Sequence, residues 1–345
     1  MTELLILFIA CFAVTLVMVW SGIHYLKRRE VIFDIPDDEA GRGIPVPRSG
    51  GLAVMPVIFA GISVLYAQGM LLFPQPLCWL IILGSGVALA AMSWVDDKRK
   101  DGLAARYRFT IQFLAILFPL MMLPPEWRVM TFDQMPLYAE RIIIGVLWMW
   151  FCNAYNFMDG INGITAVETM SITLGIVVLT LVSGMGLENG MLELNMMIAG
   201  AAAGFFFWNG RGQARAFMGD IGTVGLGYQL GWILLLLAVQ GYTAVAVILP
   251  MIYILDSSFT VIRRLLEGKK IWKNHRDHLY QRAVHDTGLS HMQVTSMIAV
   301  TNIVLIVIAM NVVQNILTPW NGVFCAMAVV TLLLGIFYKI GKRAL

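Results

Sequence analysis

The feature that most constrains this chain is a succession of apolar segments long enough to cross a bilayer. A crossing needs roughly 20 mostly apolar residues, because the hydrocarbon core is about 30 Å thick and a helix rises about 1.5 Å per residue. Eleven segments meet that measure, over 3–26, 50–70, 77–95, 107–124, 139–157, 163–184, 190–208, 221–240, 243–262, 291–313 and 320–338. Only 13% of the 345 residues are charged, against about 25% in soluble domains. That excludes an ordinary soluble globular protein, a disordered chain and a disulfide-stapled secreted domain. We therefore expect an all-α, polytopic integral membrane protein with about eleven transmembrane helices. The polar intervals 27–49 and 263–290 are too short to bury cores of their own. Residues 1–345 read as a single transmembrane domain, with its chemistry in the loops 27–49, 96–106, 156–163, 209–221 and 263–290.

Basic residues collect in cytoplasmic loops. With the N-terminus outside and the C-terminus cytoplasmic, every one of the 24 Lys and Arg residues except Arg128 and Arg141 falls on the cytoplasmic side. The first segment has no positive residues before it and Lys27-Arg28-Arg29 after it, so it reads as an uncleaved first helix. Cys11, Cys78, Cys152 and Cys325 have no paired spacing and read as packing residues. Segregated positive charge suits anionic lipid headgroups and anionic substrates; nucleic acid is not an expected partner.

Several acids and amides gather at the same basic edge. An acid at a membrane edge is costly unless it pairs, meets water or binds a cation. Asp96-Asp97 ends the third segment, where two carboxylates beside Lys98 and Arg99 either stop a helix or hold a cation or proton. Asn153, Asn156 and Gly160 share one helical stripe, with a break expected near Asp159 and close backbone approach at Gly160 and Gly163; a plain helix end and turn gives the same residues. Asp220 opens the eighth segment either as an N-cap or as a Mg²⁺ ligand beside a helix terminus suited to phosphate. The loop Lys269–Arg282 holds His275, Arg276 and His278. No third and fourth zinc ligands stand at a usual spacing, so the donors there read as a diphosphate-binding element or as a loop touching lipid headgroups. Arg106 and Arg108 either snorkel or approach Asp97. Glu168 and Asp256 lie deeper and are expected to pair structurally.

Together these motifs resemble the polyprenyl-phosphate N-acetylhexosamine-1-phosphate transferases, the superfamily of phospho-N-acetylmuramoyl-pentapeptide transferase and of the enzymes that begin O-antigen and related glycans. The resemblance rests on Asp34 and Pro36 followed by Pro45-Val-Pro-Arg-Ser-Gly-Gly51, Asp96-Asp97, Arg106-x-Arg108 with Gln112, and Asn153-x-x-Asn156-x-x-Asp159-Gly160. Asn209 ahead of Phe217-Met-Gly-Asp220 and the run His275-Arg-Asp-His278-Leu-Tyr-Gln-Arg282 complete it. It implies Mg²⁺, or Mn²⁺ in its place, on Asp220 with Asn156, holding the diphosphate of a UDP-N-acetylhexosamine. It places Asp96 and Asp97 toward a polyprenyl phosphate and the histidine loop on the nucleotide sugar. Asp159 is the candidate nucleophile if a covalent intermediate forms. Arg48, Arg106, Arg108, Asn153 and Asn209 are further substrate-binding candidates. The implied setting is a bacterial inner membrane with a cytoplasmic active site, in a protein open to homodimer formation. Two departures matter: Asn162 stands where the family often has a second Asp, and His-Arg-Asp-His replaces a triple-histidine stretch. The second favours a small UDP-N-acetylhexosamine, of the O-antigen-initiating type, over a peptidoglycan precursor. A transporter or flippase of a phosphorylated lipid is the alternative, but no inverted repeat or pair of broken midplane helices supports it.

Overall fold

The computed structural model describes residues 1–29, 33–34, 45–70, 76–99, 102–130, 135–187, 190–270, 275–286 and 288–343. Pro36, Arg42, Lys100 and Lys273 lie outside the described residues. The helices are α1 (Thr2–Arg29), α2 (Gly50–Ala67), α3 (Pro76–Lys98), α4 (Ala105–Met121), α5 (Leu137–Phe157), α6 (Ile164–Ser183) and α7 (Met191–Asn209). They continue with α8 (Gly219–Leu237), α9 (Thr243–Ile248), α10 (Met251–Leu266), α11 (Leu279–His285), α12 (His291–Val313) and α13 (Pro319–Arg343). A two-residue antiparallel pair, β1 (Phe33–Asp34) with β2 (Val46–Pro47), joins α1 to α2.

The chain is an all-α, multi-pass membrane protein, and helices occupy all of the apolar segments. Eight helical units among the described residues are long and apolar enough to cross a membrane, against the eleven expected. The boundary between the eighth and ninth segments falls at a kink at Gly241, φ +91°, where the sequence suggested it, and a second break at Pro250 divides the ninth segment into α9 and α10. α8 passes through a π turn at Ala238–Tyr242 into α9, giving one apolar unit over Gly219–Ile248. α10 is then a separate 16-residue helix, shorter than a crossing requires. α4 has 17 residues, and α5 is diluted by Glu140, Arg141, Asn153 and Asn156.

α8 is the axis of the bundle. Every residue from Ile221 to Leu237 is buried, and α2, α3, α5 and α9 pack around it. An all-round apolar helix is what an interior position in a membrane bundle demands. Small residues allow close helix approach where lipid supplies no hydrophobic drive between helices. A side chain at Gly51 of α2 would strike the backbone of Gly222 in α8, so glycine at this crossing sets the spacing. Each deep acid has a structural partner, although Glu168 Oε1 is buried with none among the described residues. Asn302 Nδ2 donates to Glu168 Oε2 at 2.7 Å, joining α12 to α6. Asp256 accepts hydrogen bonds from the start of α11.

Candidate active site

A cavity of about 1420 Å³ opens where α5, α7 and α12 and the N-terminus of α8 meet the turn after β2. Its lining includes Arg48, Asn156, Asp159, Asn162, Asn209, Asp220, Thr223 and Arg276.

The segment Pro45–Gly51 builds one side by backbone pairing. Phe217 N donates to Pro47 O at 3.0 Å, while Gly50 N and Gly51 N donate to Phe217 O and Met218 O at 2.9 and 2.8 Å. This locks the start of α2 to the start of α8 and puts Arg48 beside Gly219. Gly219 has φ +70°, a conformation that favours glycine, and a Cβ there would lie 3.1 Å from Arg48 Cβ and 3.5 Å from Asp97 Oδ2. Arg48 Nη1 donates to Asp97 Oδ1 at 2.6 Å. Asp97 Oδ2 is buried and has no hydrogen-bond partner among the described residues, while the charges of Asp97 and Asp220 lie close enough to repel. Asp220 is the second residue of α8 rather than its N-cap. Asn156 Nδ2 donates to Asp220 Oδ1 at 3.2 Å and to Thr223 Oγ1 at 2.7 Å, so the amide oxygen of Asn156 takes no part in those bonds.

The two adjacent aspartates have separate surroundings. Asp96 Oδ1 accepts from Leu103 N, and Oδ2 accepts from Arg108 Nη1 at 3.1 Å. Both oxygens thus fasten the α3–α4 turn. Arg106 is exposed and folds over the Tyr107 ring, 4.8 Å from its centroid. Asn153 donates to Gln112 Oε1 at 3.1 Å and Met149 O at 2.7 Å, tying α5 to α4. Asp96, Asp97, Asn153, Arg106 and Arg108 are outside the cavity lining, Asp97 being held behind it by Arg48, which does line it.

α5 ends at Phe157, and the turn that follows is pinned from three sides. Asp159 Oδ1 accepts from Thr165 Oγ1. Asn209 accepts from Gly163 N at 2.6 Å and donates to Ala216 O at 2.9 Å. Asn162 exchanges hydrogen bonds with α12, described below. The room beside Gly160 is filled by Tyr280 and Gln281 of α11, so its close approach is to the protein itself.

The His-Arg-Asp-His loop divides its residues between anchors and cavity. Asp256 Oδ1 accepts from Leu279 N at 3.1 Å and lies 3.3 Å from His278 Nδ1, while Oδ2 accepts from Tyr280 N at 3.1 Å. His278 is thereby buried at the head of α11. Asp277 is ion-paired with Arg264, and its carbonyl accepts from Arg263 Nη2 at 2.8 Å. His275 stacks on His278 with centroids 5.1 Å apart. Burial, then His278 and Arg264, hold the His275 imidazole down from 6.5 to about 4, so at neutral pH it carries no charge. Of the four loop residues, Arg276 alone lines the cavity.

Other lining residues were not singled out from the sequence: Trp20, His24 and Lys27 of α1, Trp208, Arg211 and Arg215 around the end of α7, and His285 and His291. For His291 the available signal was Ser290-x-x-Gln293 before an apolar run, which forms a capping box at the start of α12. Among the described residues, no three His, Cys, Asp or Glu side chains are grouped to hold a metal by themselves. A cation needing one or two carboxylates plus water and substrate oxygens, as Mg²⁺ does, fits the pairing of Asp220 with Asn156 and the unpartnered Asp97 oxygen.

Residues 79–238 match the model for glycosyl transferase family 4. The chain is 27% identical over 340 residues to a probable undecaprenyl-phosphate N-acetylglucosaminyl 1-phosphate transferase of Bacillus subtilis, covering 93% of this chain and 89% of the relative. It is 25% identical over 285 residues to a phospho-N-acetylmuramoyl-pentapeptide-transferase of Streptococcus pneumoniae, covering 77% and 83%. A Chlamydia trachomatis protein of that same name is 29% identical over 226 residues, covering 56% and 62%. The matched region contains Asp97, Asn156 and Asp220 and runs to the end of α8, and the likeness to the Bacillus protein extends over nearly the whole length: the chain is similar to glycosyl transferase family 4 over that region.

Proposed function

We propose that the protein transfers an N-acetylhexosamine 1-phosphate from a UDP-sugar to polyprenyl phosphate, releasing UMP. The observation that carries the reading is the meeting of Arg48, Asn156 and Asp220 at one cavity, with Asp97 bonded to Arg48 behind its wall, in a chain similar nearly end to end to a protein named for such a transfer. An oxygen of the lipid phosphate attacks the sugar-linked phosphorus, a new P–O bond forms, and the bond to UMP breaks. Two anionic phosphates must meet, so neutralisation and in-line positioning are the main catalytic tasks.

Asp220 and Asn156 would hold Mg²⁺, which when bound supplies positive charge to the diphosphate and the leaving UMP. Asp97 takes the role of base or orienting group for the lipid phosphate. Asp96 is less suited, because both its oxygens already bind the α3–α4 turn. Arg48 fixes Asp97 at 2.6 Å, and Arg276 adds positive charge to the cavity wall. Direct attack needs no covalent step on Asp159, whose carboxylate accepts from Thr165. Exchange of labelled UMP into UDP-sugar without lipid acceptor would contradict direct attack.

The basic loops support a site on the cytoplasmic side of a bacterial inner membrane, and the transfer would be the first membrane step of a cell-surface glycan of the O-antigen-like kind. Purified protein with polyprenyl phosphate and a panel of UDP-sugars, read by UMP release, tests the reading. Release with UDP-N-acetylglucosamine or a close relative is expected; no release with any member of the panel would refute it.

A further inference from the structure

We propose that His291, which carries no role in the reading above, contacts the nucleotide sugar as a neutral hydrogen-bond donor. The inference rests on the transferase reading for the identity of its ligand. The geometry that supports it is local and complete. Ser290 and Gln293 close a capping box at the head of α12, with Ser290 N donating to Gln293 Oε1 at 2.8 Å and Gln293 N to Ser290 Oγ at 3.2 Å. This fixes the backbone that carries His291.

The ring is then fixed by the α5–α6 turn. Asn162 N donates to His291 Nδ1 at 3.1 Å, and Thr295 Oγ1 donates to Asn162 O at 3.0 Å. One turn of α12 thus grips both backbone polar atoms of Asn162. A backbone N–H can only donate, so Nδ1 is the acceptor and the ring proton resides on Nε2. Protonating Nδ1 would set two hydrogens against each other, so the contact itself selects the neutral ring.

His291 lines the cavity together with Asn162, Asn209, Arg276 and Ser290. A wall of amides, a hydroxyl and a guanidinium suits the oxygen-rich nucleotide sugar rather than an isoprenoid tail. The fixed Nε2–H is directed chemistry for a carbonyl, hydroxyl or phosphate oxygen, and a site built around such a donor discriminates by what it would leave unpaired.

Two substitutions separate contact from clamp. In His291→Asn the amide oxygen replaces Nδ1 as acceptor for Asn162, but the donor at the Nε2 position is lost. His291→Ala loses both. With UDP-N-acetylglucosamine and polyprenyl phosphate, UMP release by His291→Asn is expected to show KM for the UDP-sugar raised about 3- to 10-fold. KM for the lipid should be unchanged, and Tm in detergent should equal that of the unaltered protein. Wild-type KM in His291→Asn, with only a lower Tm in His291→Ala, would reduce His291 to a clamp and overturn the proposal. Titration of UMP and UDP-N-acetylglucosamine binding repeats the comparison without turnover, and equal Kd in both proteins would likewise overturn it. An unaltered protein that binds without releasing UMP sinks only the transferase reading. One that does neither sinks both.

Discussion

α4 has a polar cluster at each end, and the two are built from the same residue types to different purposes. At its C-terminal end Arg141 donates to Leu120 O, to Pro124 O at 2.7 Å and to Trp127 O at 3.3 Å. Glu140 accepts from Arg128 Nε at 2.7 Å, from Val129 N at 2.7 Å and from Met130 N at 3.0 Å. The acid there has both oxygens bonded, and the cluster closes the helix end and the loop after it. At the other end, beyond the α3–α4 turn, Asp97 keeps one buried oxygen without a hydrogen bond and lies near a second acid, Asp220. Burying an unpaired carboxylate oxygen is costly, and strain of this kind gathers at functional sites. The acid with both oxygens bonded holds structure; the one with an open oxygen is, on the proposed reading, where a ligand would be met. The contrast also accounts for Arg128 and Arg141, the two bases that stood apart in the sequence.

Breaking each cluster in turn should give opposite signatures. The largest effect is expected of Asp220→Ala, which should lower kcat for UMP release by about 10²- to 10³-fold, the scale of losing one transition-state charge stabiliser, with Tm unchanged. Near-normal turnover would remove Asp220 from the site. Glu140→Ala should do the reverse, lowering stability by about 3 kcal/mol through loss of a buried, paired acid, with activity per folded molecule retained below its Tm. A variant as stable as the parent would show that the C-terminal cluster is ornamental.

Asp256→Asn sharpens the comparison at the cavity itself. It preserves shape but replaces a carboxylate that receives the start of α11, and it should raise KM for the UDP-sugar by a few-fold through the loop that presents Arg276. An unchanged KM with a lower Tm would confine Asp256 to folding. The smallest effect concerns pH. His275 protonates near 6.5 when unfolded and near 4 when folded, so between those values the unfolded chain binds more protons. Stability therefore falls as pH drops through that window and is insensitive to this group above it. Comparing Tm at pH 7 and pH 5, His275→Gln should lose less than the parent protein; equal losses would rule out His275 as a source.

Periodicity and charge made much of this legible in the sequence. Helices stand at each apolar segment, and Asn156 and Asp220, 64 positions apart, meet as their motifs implied. Sequence pattern was silent on what depends on packing between distant segments. His275, Arg276 and His278 look alike as donors, yet Asp256 and Arg264, contributed by α10, bury one and hold its neighbour, leaving Arg276 at the cavity. His291 reads as the plain start of a helix until the Asn162 turn is laid against it. Asp96 and Asp97 are equivalent in sequence and distinct in space, because Arg108 and Arg48 take one each.

That last distinction is where the central claim is most exposed. UMP release should be measured for the parent protein, Asp97→Asn and Asp96→Asn, with UDP-N-acetylglucosamine and with polyprenyl phosphate present or omitted. Lipid-dependent release by the parent is expected, with Asp97→Asn slowed about 10²-fold or more at an unchanged Tm, and Asp96→Asn affected mainly in Tm. Release by Asp97→Asn at the parent rate would contradict the assignment of Asp97 to the reaction.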